Sequence, residues 1–119
     1  MRNFKELKIW QKGFQIAISS YKITETFPVN ERFGLISQIN RAAVSVPSNI
    51  AEGSSRSSWK EYKHYIQISL GSCFELETQL LITKALNYGN QVIVSEVLAQ
   101  VTEEEKMLTA FGNALTRNS

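Results

Sequence analysis

The sequence predicts an all-α protein, an antiparallel up-down-up-down four-helix bundle. Four segments repeat apolar residues at the three- and four-residue spacing of a helix, and no segment alternates polar and apolar residues as a strand does. Three breaks separate the segments: "FPVNE" around Pro28, "EGSSRSS" from Glu52 and "NYGNQ" around Gly89. A chain of 119 residues with 43% hydrophobic content is one ordinary domain, so residues 1–119 are expected to form a single bundle.

The first helix is expected from about Phe4 to Phe27 and is apolar over an unusually wide arc. Its expected buried row is Leu7, Trp10, Phe14, Ala17 and Tyr21. A second row repeats every seven residues on a neighbouring face and consists of Ile9, Ile16 and Ile23. Two apolar faces need two packing partners, so the second row is a candidate contact between copies of the chain.

The second helix is expected from about Asn30 to Glu52. Its expected inner row is Ile36, Ile39, Ala43, Val46 and Ile50. Pro47 lies inside this pattern and removes a backbone donor, so we expect a kink near Ala43.

The third helix is expected to begin after Ser57 or Ser58, with Glu61 placed to complete a capping box, and to end at Gly89. Its expected apolar stripe is Trp59, Tyr62, Ile66, Leu70, Cys73, Leu80 and Leu81. Glu77 falls near the middle of that stripe. Burying a carboxylate there without a partner would lower the stability of the fold by an amount on the order of several kcal/mol. A facing arginine or a tyrosine such as Tyr21 is therefore expected.

The fourth helix is expected to begin between residues 91 and 95 and to end at about Thr116. Its expected inner row is Val94, Val97, Leu98, Val101, Leu108, Phe111 and Leu115. Glu104 and Glu105 interrupt this row, and no role is inferred for them.

One face of the second helix, opposite its apolar row, is unusually rich in short polar side chains. Its members are Gln38, Arg41, Ser45, Ser48, Asn49 and Glu52. Serine and asparagine are modest helix formers that suit the close approach of another surface, and Ser72 and Glu75 lie on a comparable side of the third helix. Either this face is a solvated surface, or it forms a polar lattice or binding surface.

Basic residues are concentrated in the first half of the chain. Ten basic and five acidic residues precede His64, whereas three basic and six acidic residues follow it. Two clusters are candidates for binding phosphate: Lys5, Lys8 and Lys12 on one flank of the first helix, and Arg56, Lys60 and Lys63 at the start of the third. A nucleic-acid base could stack on Trp59 or Tyr62, but both fit the core stripe better.

Catalytic constellations are scarce in this sequence. One His, one Cys and no Asp offer neither a metal site nor a catalytic triad, so an enzyme is not expected and no cofactor or metal is predicted. His64 is expected on the surface and Cys73 in the core. A single cysteine fits a reducing compartment, so a cytoplasmic location without membrane association is expected.

Three stretches of the sequence carry a family resemblance: "FKELKIWQKGF", "QINRAAVSVPSNIAEGSSRSS" and "LGSCFELETQLLI". They resemble the small bacterial four-helix bundle proteins encoded within intervening sequences of 23S ribosomal RNA genes, also labelled the S23 ribosomal protein family. The resemblance implies a ring-shaped assembly, a pentamer, and a relation to the accessory protein of diversity-generating retroelements, which works with RNA. It also selects residues for a structural polar network or interface: Arg41, Asn49, Glu52, Gly53, Ser72, Glu75 and Glu77. Many relatives carry an arginine where this chain has Leu70, so this chain has less positive charge at that position than those relatives.

These observations lead to two hypotheses of different classes. The leading one is a non-catalytic homo-oligomer that associates with RNA through its basic clusters. The alternative is an oligomeric scaffold that binds a protein and no nucleic acid.

Overall fold

Four long helices form the protein in a computed structural model, which describes residues 3–31 and 33–118. Helix α1 covers Lys8–Thr24, α2 covers Leu35–Ser54, α3 covers Trp59–Ala85 and α4 covers Gln91–Asn118. Short 3₁₀ turns at Phe4–Glu6 and Val29–Glu31 precede α1 and α2. No strand occurs in the described part of the chain, which confirms the predicted all-α class.

The helices pack in the cyclic order of their sequence. Helix α2 packs against α1 and α3, and α4 packs against α3 and α1, so α1 and α3 are diagonal to each other. This is the arrangement of an antiparallel four-helix bundle. The first residues of α1 and α3 therefore lie at the same end of the bundle as the last residues of α2 and α4.

Local hydrogen bonds explain where the helices begin and end. The hydroxyl of Ser58 accepts the Glu61 N–H at 3.1 Å and caps α3, as the sequence predicts. Helix α3 ends at Ala85, four residues before the predicted Gly89, because Asn87 adopts a left-handed conformation with φ of 58°. Tyr88 then donates its N–H to the Thr83 carbonyl at 3.1 Å, which closes a Schellman motif.

The second helix begins later than predicted and continues past its proline. It starts at Leu35 and not near Asn30, because the chain first makes the Val29–Glu31 turn. Pro47 lies inside a helix that runs unbroken to Ser54.

The core-facing side of α1 differs from the predicted one. Ile9, Ile16 and Ile23 are only 4%, 0% and 2% exposed within the single chain, so this row is core and is not available as a contact between copies. Phe14 and Tyr21 are instead 48% and 45% exposed. The small residues of α1 that are buried beside the isoleucine row, Gly13, Ala17 and Ser20, explain the choice, since they let neighbouring helices approach on that side.

The buried face of α3 is rotated slightly from the predicted stripe. Tyr62, Ile66, Cys73 and Leu80 are buried as expected, but Trp59 and Leu81 are 38% and 51% exposed. The inner face is completed by small or polar residues and one leucine: Ser69, Ser72, Leu76, Gln79 and Thr83. Ser69 and Thr83 donate to backbone carbonyls and Ser72 donates to the Ser45 hydroxyl, so these polar residues are accommodated in the interior, which apolar periodicity does not reveal.

Candidate functional site

The polar residues of α2 and α3 meet in a seam between the two helices. Arg41 Nη2 lies 2.6 Å from Glu75 Oε2 and also donates to Gln38 Oε1 at 2.9 Å. The two charged side chains are 58% and 40% exposed, so the pair lies at the outer edge of the seam. Exposed pairs of this kind contribute roughly 0.2–1 kcal/mol to stability.

Deeper in the seam, short side chains join the helices directly. The Ser72 hydroxyl donates to Ser45 Oγ at 2.9 Å, and Asn49 Nδ2 donates to the Ser45 carbonyl and hydroxyl, both at 2.8 Å. Buried Ser69 donates to the Val46 carbonyl at 2.8 Å, one residue before Pro47. Serine side chains reach across only when the backbones are close, so the polar face of α2 mainly holds two helices of one chain together.

Glu52 does not take part in this seam. Its carboxylate lies 3.1 Å from Arg56 one helical turn later, at the end of α2. Arg56 also donates to Tyr65 Oη at 2.9 Å and stacks over the Tyr65 ring, 4.7 Å from its centroid. Glu52 and Arg56 therefore stabilise the turn between α2 and α3. At the same turn, a Cβ added to Gly53 would lie 2.8 Å from the Cβ of Tyr65.

The two basic clusters of the sequence lie at one end of the bundle, because α1 and α3 both begin there. Lys63 at the start of α3 donates to the Thr116 hydroxyl near the end of α4, which ties these elements together. Lys5, Lys8 and Lys60 are exposed at this end. Lys12, one turn further along α1, pairs with Glu103 at 3.4 Å. Lys12, Arg56 and Lys63 thus contact groups of their own chain, whereas Lys5, Lys8 and Lys60 are the exposed members of the two clusters.

Carboxylates that the sequence left without a role lie inside the bundle. Glu104 is fully buried, and among the described residues neither of its carboxyl oxygens has a hydrogen-bond partner. Burial raises the pKa of Glu104 from 4.5 to about 8, opposed by the charge of Lys12. Burial, together with charge repulsion from Glu77, raises the pKa of Glu105 to about 7.

Glu77 therefore has a different neighbour from the one expected. It is half-buried, and its carboxylate acts on that of Glu105. Among the described residues no ion pair joins it to an arginine, and Tyr21 is on the diagonal helix α1. Burial, together with repulsion from Glu104, Glu105 and Glu77, also raises the pKa of the Cys73 thiol.

Two exposed apolar surfaces, which the sequence patterns did not identify, lie on opposite sides of the bundle. The first, here the α1/α2 groove, has a volume of about 400 Å³ and is lined chiefly by Trp10, Phe14, Ile18, Tyr21 and Val44. The second, here the α3 outer face, consists of Phe74, Leu81, Ile82 and Leu86, each at least 45% exposed. The wide apolar arc of the first helix indicated that one of its two apolar rows is exposed. The prediction placed the exposed row at Ile9, Ile16 and Ile23, whereas the exposed residues are Phe14, Ile18 and Tyr21.

Several functional classes gain no support from the described residues. Residues 3–31 and 33–118 contain no group of three His, Cys, Asp or Glu side chains that could hold a metal ion. Within the same residues, no helix combines the length and the apolar content that a bilayer span requires. His64 is exposed on α3, where its ring lies edge-on to Tyr65.

Comparisons with known proteins identify a family and solved structures of similar fold. Residues 5–110 match the model of the 23S rRNA-intervening sequence protein family. The fold is similar to a crystal structure of a protein of unknown function from the S23 ribosomal protein family of Bacteroides thetaiotaomicron VPI-5482. That similarity has a TM-score of 0.78 at 24% identity and covers 87% of this chain and 96% of the other. No curated protein matches the sequence.

Proposed function

Because the chain belongs to the 23S rRNA-intervening sequence protein family, we propose that it is a non-catalytic, homo-oligomeric protein that associates with RNA in the bacterial cytoplasm. The observation that carries this proposal is the convergence of two basic clusters, separate in sequence, at one end of the bundle. Lys5, Lys8 and Lys60 offer exposed ammonium groups there. Lysines bind phosphate as point charges without reading bases.

The exposed apolar surfaces support the assembly part of the proposal. The α1/α2 groove and the α3 outer face are chemically similar but lie on diagonal helices. When one surface of a subunit packs against a different surface of the next, the contact is head-to-tail and closes into a ring if the rotation permits. We propose such a ring, with the pentamer implied by the family resemblance as its form.

Ring assembly also bears on RNA binding. A basic end with three exposed lysines binds RNA weakly, but several linked copies bind one RNA together and raise the overall affinity by avidity. RNA affinity and oligomerisation are therefore expected to fall together.

The test is a titration of labelled single-stranded RNA with the full chain at several salt concentrations. We expect binding that weakens with salt, with a log–log slope of about −0.7 per neutralised phosphate. A triple variant, Lys5→Glu, Lys8→Glu and Lys60→Glu, should bind at least about tenfold more weakly, since it removes these phosphate contacts and adds repulsion.

A matched control reverses three other exposed lysines. Lys22 and Lys84 lie near the opposite end of the bundle and Lys106 lies midway along α4, so reversing all three changes the net charge equally. The control should retain clearly more affinity than the first variant. Equal losses in both variants would reduce the effect to net charge, and absence of binding by the parent at low salt would overturn the RNA function.

A protein-binding scaffold without nucleic-acid binding is the second candidate. The exposed α1/α2 groove favours it, because apolar surfaces of this kind commonly mark protein contacts. This candidate replaces the first if the parent assembles into an oligomer and still binds no RNA at low salt.

A further inference from the structure

A cleft between α3 and α4, here the α3/α4 cleft, lies beside the basic end of the bundle. Its volume is about 120 Å³. Buried apolar side chains form its floor, among them Ile66 and Leu108. Its rim is polar and consists of two pairs of side chains, each pair one helical turn apart: Lys63 with Gln67 on α3, and Thr109 with Asn113 on α4. The cleft therefore presents hydrogen-bonding groups from two helices around an apolar surface.

The polar groups of the rim are available to a ligand. Within the described part of the chain, neither Gln67 nor Asn113 forms a side-chain hydrogen bond. The Thr109 hydroxyl donates to a backbone carbonyl of its own helix at 2.8 Å, so its oxygen can still accept. Lys63 uses one of the three N–H donors of its ammonium group on Thr116, and the other two remain. The rim thus combines amide groups, a hydroxyl acceptor and a cation.

The size and position of the cleft indicate that it takes part of a longer ligand. Cavities that hold a whole small molecule usually measure roughly 300–1,000 Å³, so this one accommodates only a portion of a ligand. Lys60, exposed at the basic end, precedes Lys63 by three residues and Gln67 by seven, which places all three on one side of α3. A strand whose phosphate is bound at Lys60 can therefore continue along α3 to the cleft.

We propose that the α3/α4 cleft binds a ribose of an RNA strand, with Gln67 and Asn113 hydrogen-bonded to its 2′-hydroxyl and Lys63 paired with the adjoining phosphate. A ribose fits this chemistry because its C–H side packs on an apolar floor, while its 2′-hydroxyl both donates and accepts a hydrogen bond. DNA has no such hydroxyl, so the cleft makes the protein prefer RNA to DNA. The inference rests on the proposed RNA association, which depends on phosphate charge and by itself does not distinguish the two nucleic acids.

The experiment compares a labelled oligouridylate of about 16 nucleotides with the oligodeoxyuridylate of the same length, which differs only in lacking the 2′-hydroxyls. Fluorescence anisotropy with the full chain at low salt measures both affinities. We expect the parent to bind the RNA about 2- to 12-fold more tightly, the effect of one net hydrogen bond. The double variant Gln67→Ala, Asn113→Ala should lower the RNA affinity to that for DNA and leave the DNA affinity unchanged, because it removes no charge.

Three further variants separate the contributions to binding. Gly112→Ala adds a methyl group at the wall of the cleft, where its Cβ would lie 3.8 Å from Ile66 Cγ2 without a clash, so it should lower the preference for RNA while the fold is kept. Lys63→Met removes the cation and should weaken RNA and DNA binding equally. Gln15→Ala, a change at an exposed amide on α1, is the matched control and should alter neither affinity.

The outcomes distinguish this inference from the RNA association on which it rests. If the parent binds RNA and DNA equally, or if the double variant keeps the full preference for RNA, the cleft does not recognise ribose and the inference is overturned, while the electrostatic association stands. A loss of the preference in Gln15→Ala as well would also overturn it, because the effect would not belong to the cleft. If the parent binds neither strand at low salt, both proposals fail.

Discussion

Glu104 is the residue with the most unusual environment in the described chain. A fully buried carboxyl group is more stable protonated, and burial raises its pKa to about 8. In the unfolded chain the group titrates near its ordinary pKa of 4.5. Between these two values the folded state binds more protons than the unfolded state, so stability decreases as pH rises.

We therefore predict that the free energy of unfolding falls between about pH 5 and pH 8, by at most about 1.4 kcal/mol per pH unit from this residue. Glu104→Gln, which stays neutral, should flatten this dependence and stabilise the protein above pH 8. Denaturant unfolding at a series of pH values measures both effects. Glu96→Gln, at an exposed position of α4 away from Lys12, is the control and should leave the pH dependence unchanged. An equally steep curve in Glu104→Gln would contradict the assignment.

Arg41 offers a second test at the scale of one residue. A buried pair with Glu75 predicts a loss on the order of 2 to 4 kcal/mol on removing the guanidinium. The pair is instead partly exposed, so Arg41→Ala should cost only about 0.2 to 1 kcal/mol. Urea unfolding measures the free energy of unfolding, with Lys22→Ala, a change at an exposed lysine outside the seam, as the control. A loss above about 2 kcal/mol in Arg41→Ala would show that the seam stabilises the fold more than its exposure indicates.

Two helical glycines show how helix packing changes the effect of one substitution. A Cβ added to Gly13 would lie 3.1 Å from both Glu104 Oε2 and Val46 Cγ1, at the place where α1 approaches α2 and α4. A Cβ added to Gly71 meets nothing within 4 Å. The same change to alanine is therefore crowded in α1 and unhindered in α3.

We predict that only one of these two substitutions stabilises the protein. Gly71→Ala should raise the free energy of unfolding by about 0.5 to 1 kcal/mol through helix propensity. Gly13→Ala has the same propensity gain but an overpacking cost of about 1 to 3 kcal/mol, so it should be neutral to destabilising. Thermal unfolding of both variants ranks them, and equal stabilisation would mean that the Gly13 contact relaxes without cost.

At the scale of the whole molecule, the α1/α2 groove is expected to contact another copy of the chain. Phe14→Glu places a charge in the α1/α2 groove, where a partner's apolar side chains would be buried, so we predict smaller assemblies with unchanged helical content. Light scattering and circular dichroism measure the two quantities. Ile16→Glu is the contrasting variant: it buries a charge in the core and should unfold the chain.

The opposite face gives an independent check of the head-to-tail contact. Leu81→Glu on the α3 outer face should dissociate the assembly as Phe14→Glu does, because each contact uses both faces. A parent chain that is monomeric at micromolar concentration would refute the assembly, and an effect of only one of the two variants would point to a symmetric dimer.

The sequence by itself determined the four helices, the bundle class and the residues available for charge and capping. Helical spacing, Ser58 as a cap and the breaks around Pro28 and Gly89 act over a few residues, so they can be read without knowing the neighbours. The family resemblance rested on such local motifs too. The helix boundaries shifted by a few residues, as at Asn87, where a left-handed residue ended α3 before the predicted glycine.

The tertiary structure alone decided which residues face inward and which charges remain accessible. Both apolar rows of α1 have helical spacing, and the choice of the Ile16 row depended on how α2 and α4 pack against α1. At Gly13 on this side, an added Cβ would lie 3.1 Å from side-chain atoms of Val46 and Glu104, which are far away in sequence. Packing of several helices also decided that Glu104 is buried, that Trp59 is partly exposed and that Arg56 contacts Tyr65. Burial and pairing are properties of several helices together, whereas periodicity describes one helix at a time.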